Sequence, residues 1–214
     1  MSDPATLLAF AIVALVGYGI GSISSGYLVG KIYRNVDLRT VGSGSTGATN
    51  TFRTLGRGAG LLVAVFDILK GALAVLFAQF LFTNDSDVRH IAEALAAVAA
   101  VAGHCWPPML QGRGGRGVAT GFGALLFVAT PAWASAVAFF MIALTLTRMV
   151  SVGSLASVIG ALVGYLLFTA TGWLSFSWAT LAFIVVGGCI VYVRHLPNIQ
   201  RIIRGAEPRI GLRP

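Results

Sequence analysis

Apolar stretches of roughly the 20 residues needed to cross a bilayer recur along the chain, joined by short polar segments. The first covers residues 5–30. It carries Gly17, Gly21, Gly26 and Gly30, two pairs of small residues four apart that favour close helix packing. Its end, G-S-I-S-S-G-Y, is polar enough to face a bundle interior. The second, 59–82, contains Asp67 and Lys70, three apart and so on one helical face. An internal ion pair is expected there, because ionisable groups in a membrane are costly unless paired. The third stretch, 91–105, has Glu93 near its start, expected at the interface. It ends on His104, just before W-P-P, whose prolines stop the helix. Residues 118–146 are apolar but interrupted by Pro131, and two further stretches cover 150–168 and 173–193.

The placement of charge orients these stretches. Lys31, Arg34, Arg39, Arg53 and Arg57 follow the first, against Asp37 alone. Arg113 and Arg116 follow the third, Arg148 follows the interrupted one, and Arg194, Arg201, Arg204, Arg209 and Arg213 fill the tail. The segment T-N-D-S-D-V-R-H at 83–90 has two acids and one arginine. Cationic loops stay in the cytoplasm, so the acidic segment is outside. Residues 118–146 must then cross an even number of times. Two crossings turning near Pro131 give seven spans with the N-terminus outside. About 15 residues per crossing reach only about 22 Å at 1.5 Å per residue, short of a ~30 Å core. Local thinning or a re-entrant hairpin would absorb the difference. The expected fold class is all-α: one membrane domain over 1–214, with about seven transmembrane helices and cytoplasmic Gly/Arg-rich loops.

Composition agrees. Of 214 residues, 57% are hydrophobic and 10% charged, against about 25% charged in a soluble domain. A net charge of +8 would suggest nucleic acid in a soluble protein. In short membrane loops it implies orientation and anionic ligands instead, and no nucleic-acid partner. Cys105 and Cys189 lie in apolar surroundings and suggest no disulfide framework. The start lacks a basic n-region and its apolar run is too long for a signal peptide, so it is read as a retained span.

Four polar elements fall on the cytoplasmic face. The first, G-S-G-S-T-G-A-T-N-T-F-R over 42–53, brings Ser43, Gly44, Ser45, Thr46, Gly47, Thr49, Asn50 and Arg53. Its glycines permit a turn whose successive N–H groups bind anions, and Arg53 adds a forked cation suited to phosphate. The second, G-R-G-G-R-G-V-A-T over 112–120, places Gly114, Gly115, Arg116 and Gly117 before a helix N-terminus, which favours an anion. Its spacing is not that of a Walker A loop. The third is T-R-M-V-S-V-G-S, with Arg148, Ser151 and Ser154; serine is also a common packing residue in membranes. The fourth is R-H-L-P-N over 194–198, followed by Arg201. It makes His195 and Asn198 candidate acid/base or hydrogen-bonding groups. For the first two the ordinary alternative is a polar or basic loop that fixes topology.

Other chemistries are missing. No histidine has an aspartate five positions later, no Cys/His/carboxylate cluster has metal-ligand spacing, and there is no G-x-S-x-G elbow. The residues describe a cation-lined site for phosphates beside lipid, with no metal and no cofactor. An enzyme, a carrier for a phosphate-bearing solute and a structural subunit all remain open. A carrier should show internal repeats, and none is convincing. A structural subunit leaves the paired glycine loops unexplained.

The strings V-D-L-R-T-V-G-S-G-S-T-G-A-T-N-T-F-R-T-L-G, D-I-L-K-G, G-H-C-W-P, G-G-R-G-V-A-T, S-V-G-S and R-H-L-P-N-I, in that order, resemble the PlsY family of bacterial membrane glycerol-3-phosphate acyltransferases. The resemblance implies a seven-helix enzyme of the inner membrane with its active face in the cytoplasm. It would transfer a fatty acyl group from acyl-phosphate to the 1-hydroxyl of glycerol-3-phosphate, giving lysophosphatidic acid and phosphate. Its partners would be those two substrates, membrane lipid and an upstream enzyme that makes acyl-phosphate. The family's first-motif Ser and Arg fall on Ser43 and Arg53, and its phosphate loop on Gly114 to Gly117. Its later Ser falls on Ser151, its C-terminal His and Asn on His195 and Asn198, and its final acid on Glu207. Asp67, Lys70, His104 and Glu207 are read as structural support. Ser45 stands where the family usually has Asn, and Arg116 where it usually has Lys.

Overall fold

The structure, a computed structural model, describes residues 3–84 and 87–211. The expectations resting on Asp85, Ser86 and Arg213 lie outside these. Among the described residues the chain is helical without strands. Its helices are α1 (Pro4–Ser22), α2 (Ser25–Arg34), α3 (Ala48–Leu55), α4 (Arg57–Leu81), α5 (Asp87–Cys105), α6 (Val118–Val128), α7 (Thr130–Thr147), α8 (Val150–Ala170), α9 (Trp178–Arg194) and α10 (Leu196–Ile203). Four runs are long and apolar enough to cross a membrane among the described residues: 4–34, 57–81, 130–147 and 150–170. A fifth is added if α9 and α10, bent by 59°, count as one span. The 11-residue α6 is too short for that measure, and α5 opens with Asp87, Arg89, His90 and Glu93.

The centre of the bundle is α5, which contacts α1, α4, α6 and α9. Its buried face is mostly alanine: Ala92, Ala96, Ala97 and Ala100 are fully buried. Small side chains let neighbouring backbones approach, which in a membrane replaces the missing hydrophobic drive between helices. Gly17 and Gly21 of α1 meet Ala96 and Ala100 in this way; a Cβ on either glycine would run into alanine backbone. The same device joins α4 to α6, where Gly71 faces Thr120 and Gly123 faces Ile68.

The first stretch is not continuous. α1 stops at Ser22, Ile23 and Ser24 are extended, and α2 starts at Ser25. The break is tied to α4: Lys70 Nζ donates to the Ile23 carbonyl at 3.0 Å, and Ser25 Oγ donates to Asp67 Oδ1 at 2.6 Å. Glu93, expected at an interface, is buried. It accepts from Arg89 Nε (2.9 Å) and from Gln79 Nε2 (2.9 Å) of α4.

The apolar run 118–146 turns at Ala129, with Pro131 in the first turn of α7, where its missing N–H costs nothing. α6 runs alongside α4 in the same direction, because Gly123 lies at Ile68 and the Phe127 carbonyl at Gln79. α7 then returns antiparallel to α8, with Ser135 at Gly164 and Phe140 at Gly153. The division is uneven, 11 residues against 18. At 1.5 Å per residue α6 is only about 16 Å long, because it begins deep in the bundle. The loop before it is packed against α5, and irregular backbone is tolerated at such depth only where protein or a cavity surrounds it.

Gly21 and Gly19 supply a paired test. Nothing lies within 4 Å of a Cβ on Gly19. Overpacking a tight contact costs about 1–3 kcal/mol. Gly21→Val should therefore lower the thermal unfolding midpoint in detergent by several degrees, and Gly19→Val should leave it within about 2 °C, the shift expected for a fraction of a kcal/mol.

Candidate active site

The 42–53 segment is organised by one amide. Asn50 is 1% exposed. Its Nδ2 lies 3.1 Å from Leu38 O, 3.1 Å from Val41 O and 2.8 Å from Ser45 O. Its Oδ1 accepts from the Ser43 N–H at 2.9 Å. Gly42 and Gly44 take positive φ, 61° and 70°, so the chain can fold back over that amide. Arg39 steadies the approach: it pairs with Asp37 at 2.7 Å and lies over the Tyr27 ring at 5.4 Å.

The 112–117 loop is organised from the opposite side. The N–H of Gly114 donates to Cys105 O (3.2 Å), and that of Gly115 to His104 O (3.0 Å). The His104 imidazole occupies the space where a Gly115 Cβ would stand. Both carbonyls are engaged too: Arg194 Nε donates to Gly115 O and Nη2 to Gly114 O, each at 3.1 Å. Gly117, at φ 85°, then opens α6. His104 itself stands 3.4 Å from Asp67, which pairs with Lys70 at 2.8 Å, so the internal ion pair expected at 67 and 70 is present.

The third group is the tail. Glu207 is 6% exposed. It accepts from Asn198 Nδ2 at 2.7 Å and from Arg201 Nε at 2.8 Å. Burial alone would raise its pKa, but the donors around it, Asn198, Ser151 and Arg201, outweigh that, and the carboxyl is held below its ordinary range. The Ile210 N–H reaches back to the Arg148 carbonyl at 2.8 Å and docks the tail on the α7–α8 turn. His195 Nδ1 lies 2.8 Å from Val191 O. A carbonyl only accepts, so Nδ1 carries the proton and the neutral ring keeps its lone pair on Nε2.

These groups surround one cavity of about 320 Å³. Ser45, Gly47, Thr49, Asn50 and Arg53 line one wall, Arg116 and Gly117 a second, and Ser151, Ser154, His195, Asn198 and Glu207 a third. Asp67 and His104 reach its floor, and Ala64, Ile68, Phe122, Phe140 and Val150 form an apolar side. Asn198 Oδ1 is buried without a hydrogen-bond partner among the described residues, and Ser151 Oγ is buried beside Glu207. Burial pushes the Arg116 guanidinium down to about 10, and the neighbouring Arg201 adds repulsion. It is still charged at neutral pH. The cavity therefore gathers cations and buried polar atoms that an anion bearing hydroxyls would satisfy.

The structure revises several readings from sequence. Ser43 and Gly44 are exposed and do not line the cavity; Ser45 does. Gly114 and Gly115 are also outside the lining, and their N–H groups are spent on α5, so this loop presents a side chain and not a nest. Asn50 reaches the cavity, yet its hydrogen bonds go to its own loop. Arg53, Arg116, Gly117, Thr49, Gly47, Ser151, His195 and Asn198 do come together. The part played by Arg194 was not foreseen; a basic residue directly before the histidine was its only trace. Phe122 and Phe140 gave no signal, being two apolar positions among many.

A helical membrane bundle with a cation-lined cavity, polar on three sides and apolar on the fourth, defines an integral membrane protein with a site suited to an anion. The chain belongs to the glycerol-3-phosphate acyltransferase family, whose model matches residues 11–205. It is 43% identical to the glycerol-3-phosphate acyltransferase of Synechococcus sp. (strain CC9902), over 96% of this chain and 97% of that one. It is 42% identical to that of Synechococcus elongatus (strain ATCC 33912 / PCC 7942 / FACHB-805), over 97% of each. Its fold is similar to the crystal structure of PlsY, an integral membrane glycerol 3-phosphate acyltransferase, in its glycerol 3-phosphate form. The TM-score is 0.83 and the identity 33%, covering 94% of this chain and 96% of that one. The lysophosphatidic acid form of PlsY gives a TM-score of 0.81 at 31% identity, over 94% and 95%.

The Asn50 knot is open to test. Asn50→Ala leaves buried carbonyls without a donor, at about 1–3 kcal/mol for each such group. Trypsin should then cut at Arg39 or Arg53 at least about tenfold faster, a factor equivalent to ~1.4 kcal/mol. Ser43→Ala, with its exposed hydroxyl, should leave the rate at that of the parent.

Proposed function

We propose that the chain is an acyl-phosphate:glycerol-3-phosphate 1-O-acyltransferase of a bacterial inner membrane. One domain over 1–214 crosses seven times, with the N-terminus outside and the glycine and arginine loops in the cytoplasm. The observation that carries this reading is the meeting of Arg53 and Arg116 with His195 and Asn198 in one cavity whose remaining wall is apolar. Family membership supports it, as do the glycerol 3-phosphate and lysophosphatidic acid forms of the similar PlsY structure.

The chemistry follows from charge. Acyl-phosphate is a mixed anhydride with an activated carbonyl and a good leaving group. The 1-hydroxyl oxygen of glycerol-3-phosphate attacks that carbonyl, the new ester C–O bond forms, and the C–O bond to phosphate breaks. The hydroxyl proton leaves with the phosphate as HPO4²⁻. No covalent enzyme intermediate is needed. The two reactants are anions, so the main task of the protein is to offset their repulsion and align them. Arg53 and Arg116 take the phosphates. His195, with its lone pair on Nε2, accepts a hydrogen bond from the attacking hydroxyl, and Asn198 Oδ1 and Ser151 Oγ hold the glycerol. Glu207 fixes Asn198 through its amide. Ala64, Ile68, Phe122 and Phe140 take the start of the acyl chain. An upstream enzyme must supply the acyl-phosphate.

Purified protein given acyl-phosphate and glycerol-3-phosphate should release lysophosphatidic acid and phosphate, and acyl-CoA should not replace the donor; turnover with acyl-CoA alone would overturn the donor assignment. Arg116→Lys keeps the charge and loses the fork, so kcat/KM should fall by less than about tenfold, ~1.4 kcal/mol. Arg53→Ala should cost about tenfold to over a hundredfold, since charged hydrogen bonds contribute about 1.5–3 kcal/mol each. Near-parental constants would remove Arg53 from the site.

Orientation is tested by labelling in a Cys189→Ala background, Cys105 being buried. Ser175→Cys should react with an impermeant maleimide on intact cells and Arg204→Cys only after lysis. The reverse pattern would invert the topology.

A further inference from the structure

We propose that Arg194 is a positioning residue that sets the Arg116 side chain toward the substrate phosphate without touching substrate itself. The proposal rests on the acyltransferase reading above. Arg194 is the last residue of α9, and its side chain does not line the cavity. Its guanidinium grips two consecutive carbonyls, Gly115 O and Gly114 O, at 3.1 Å each, and lies over the Trp106 ring at 5.7 Å. Trp106 is anchored in turn, its carbonyl accepting from Tyr18 Oη of α1 at 2.7 Å. The N–H groups of the same two glycines are bonded to Cys105 and His104. All four backbone groups of the two glycines before Arg116 are therefore engaged, and the Arg116 side chain follows them into the cavity. His104 fills the space beside Gly115, so the loop cannot relax toward α5.

Two features separate positioning from a simple contribution of charge. A planar guanidinium with two parallel N–H donors suits two adjacent carbonyls, and an ammonium does not match that geometry. Arg194 is also followed directly by His195, which lines the cavity. One helix end thus places the histidine with its own backbone and the phosphate loop with its last side chain. The cation facing one substrate and the ring facing the hydroxyl keep a fixed separation.

The test is a double-mutant cycle between positions 194 and 116 on the full-length protein in detergent. It is read twice: by calorimetric affinity for glycerol-3-phosphate and by steady-state kinetics with both substrates varied. Arg194→Gln should weaken the KM of the substrate held by Arg116 by about tenfold or more and change kcat by less than about threefold. Arg194→Lys should lose several-fold although it keeps the charge. In an Arg116→Gln background, Arg194→Gln should add less than about twofold, because residues acting through one another are not additive. Arg113→Gln, an exposed neighbour in the same loop, should be neutral. An Arg194→Lys enzyme equal to the parent would show a role of charge alone and overturn the proposal, as would additive losses in the cycle. If Arg194→Gln fails to fold, Trp106→Leu and Arg194→Lys carry the same cycle. A parental protein that binds glycerol-3-phosphate but does not turn over acyl-phosphate would refute the donor assignment and leave the affinity cycle to decide the role of Arg194. A parental protein that binds neither substrate would refute the acyltransferase reading, and the proposal about Arg194 with it.

Discussion

One buried carboxylate holds the framework of this protein in place. Asp67 lies two-fifths of the way along α4, 1% exposed, where an unpaired charge would cost several kcal/mol. Its partners come from three directions: Ser25 of α2, Lys70 of its own helix and His104 of α5. Satisfying the charge therefore fixes helices that are far apart in sequence. Lys70 in turn holds the Ile23 carbonyl exposed by the break between α1 and α2. Replacing Asp67 would leave the Lys70 cation buried without its carboxylate and the Ser25 hydroxyl without its acceptor at once, which is why this half of the bundle depends on it.

The influence of that charge passes to the site through His104. Its ring is held on the Asp67 side and carries Gly115 on the other. The loop seated there delivers Arg116, while the break at residues 23–24 sends α2 out to the segment that Asn50 ties together. Arg53 and Arg116 thus reach one cavity from α3 and from the 112–117 loop, whose placement traces to the same ion cluster. Three other arginines, 53, 194 and 201, then lie close enough to Arg116 to act on its charge, against the single carboxylate of Glu207. Arg194 is hydrogen-bonded to two carbonyls, and Arg201 is paired with Glu207. Arg53 and Arg116 have no such carboxylate partner among the described residues, so a dianion bound as proposed would relieve the repulsion between them.

Much of this was legible in the sequence, for physical reasons. Helix positions followed from apolar length, the Asp67–Lys70 pair from three-residue spacing and the cost of charge in lipid, and the turn at Ala129 from Pro131 and the parity of the cationic loops. The motif strings singled out residues 53, 116, 151, 195 and 198, which line one cavity. Local spacing failed where a group's role depends on distant backbone. Ser43 and Asn50 read alike as donors in a glycine loop, yet Asn50 turns inward because three carbonyls from 38–45 converge on it. Gly114 and Gly115 read as an anion nest, but their N–H groups face the end of α5. The partners of Arg194 lie about 80 residues away in sequence. Glu93 looked interfacial because Gln79, its partner, is a lone polar residue near the end of another stretch.

The shortness of α6 shows how such a site can exist inside a membrane. A full-length helix there would fill the space now open beside Arg116 and would seal it with side chains from its first turns. Instead the first turns are replaced by a glycine loop, whose backbone polar groups must be satisfied without water. They are satisfied by the last carbonyls of α5, which every helix end leaves unpaired, and by the fork of Arg194. Two sets of otherwise costly groups thus cancel at one place. The space released is polar where Arg116 enters it and apolar where Phe122 and Phe140 face each other edge to face at 5.9 Å. The acyl-phosphate proposed as donor carries the same division, an anion at one end and an alkyl chain at the other.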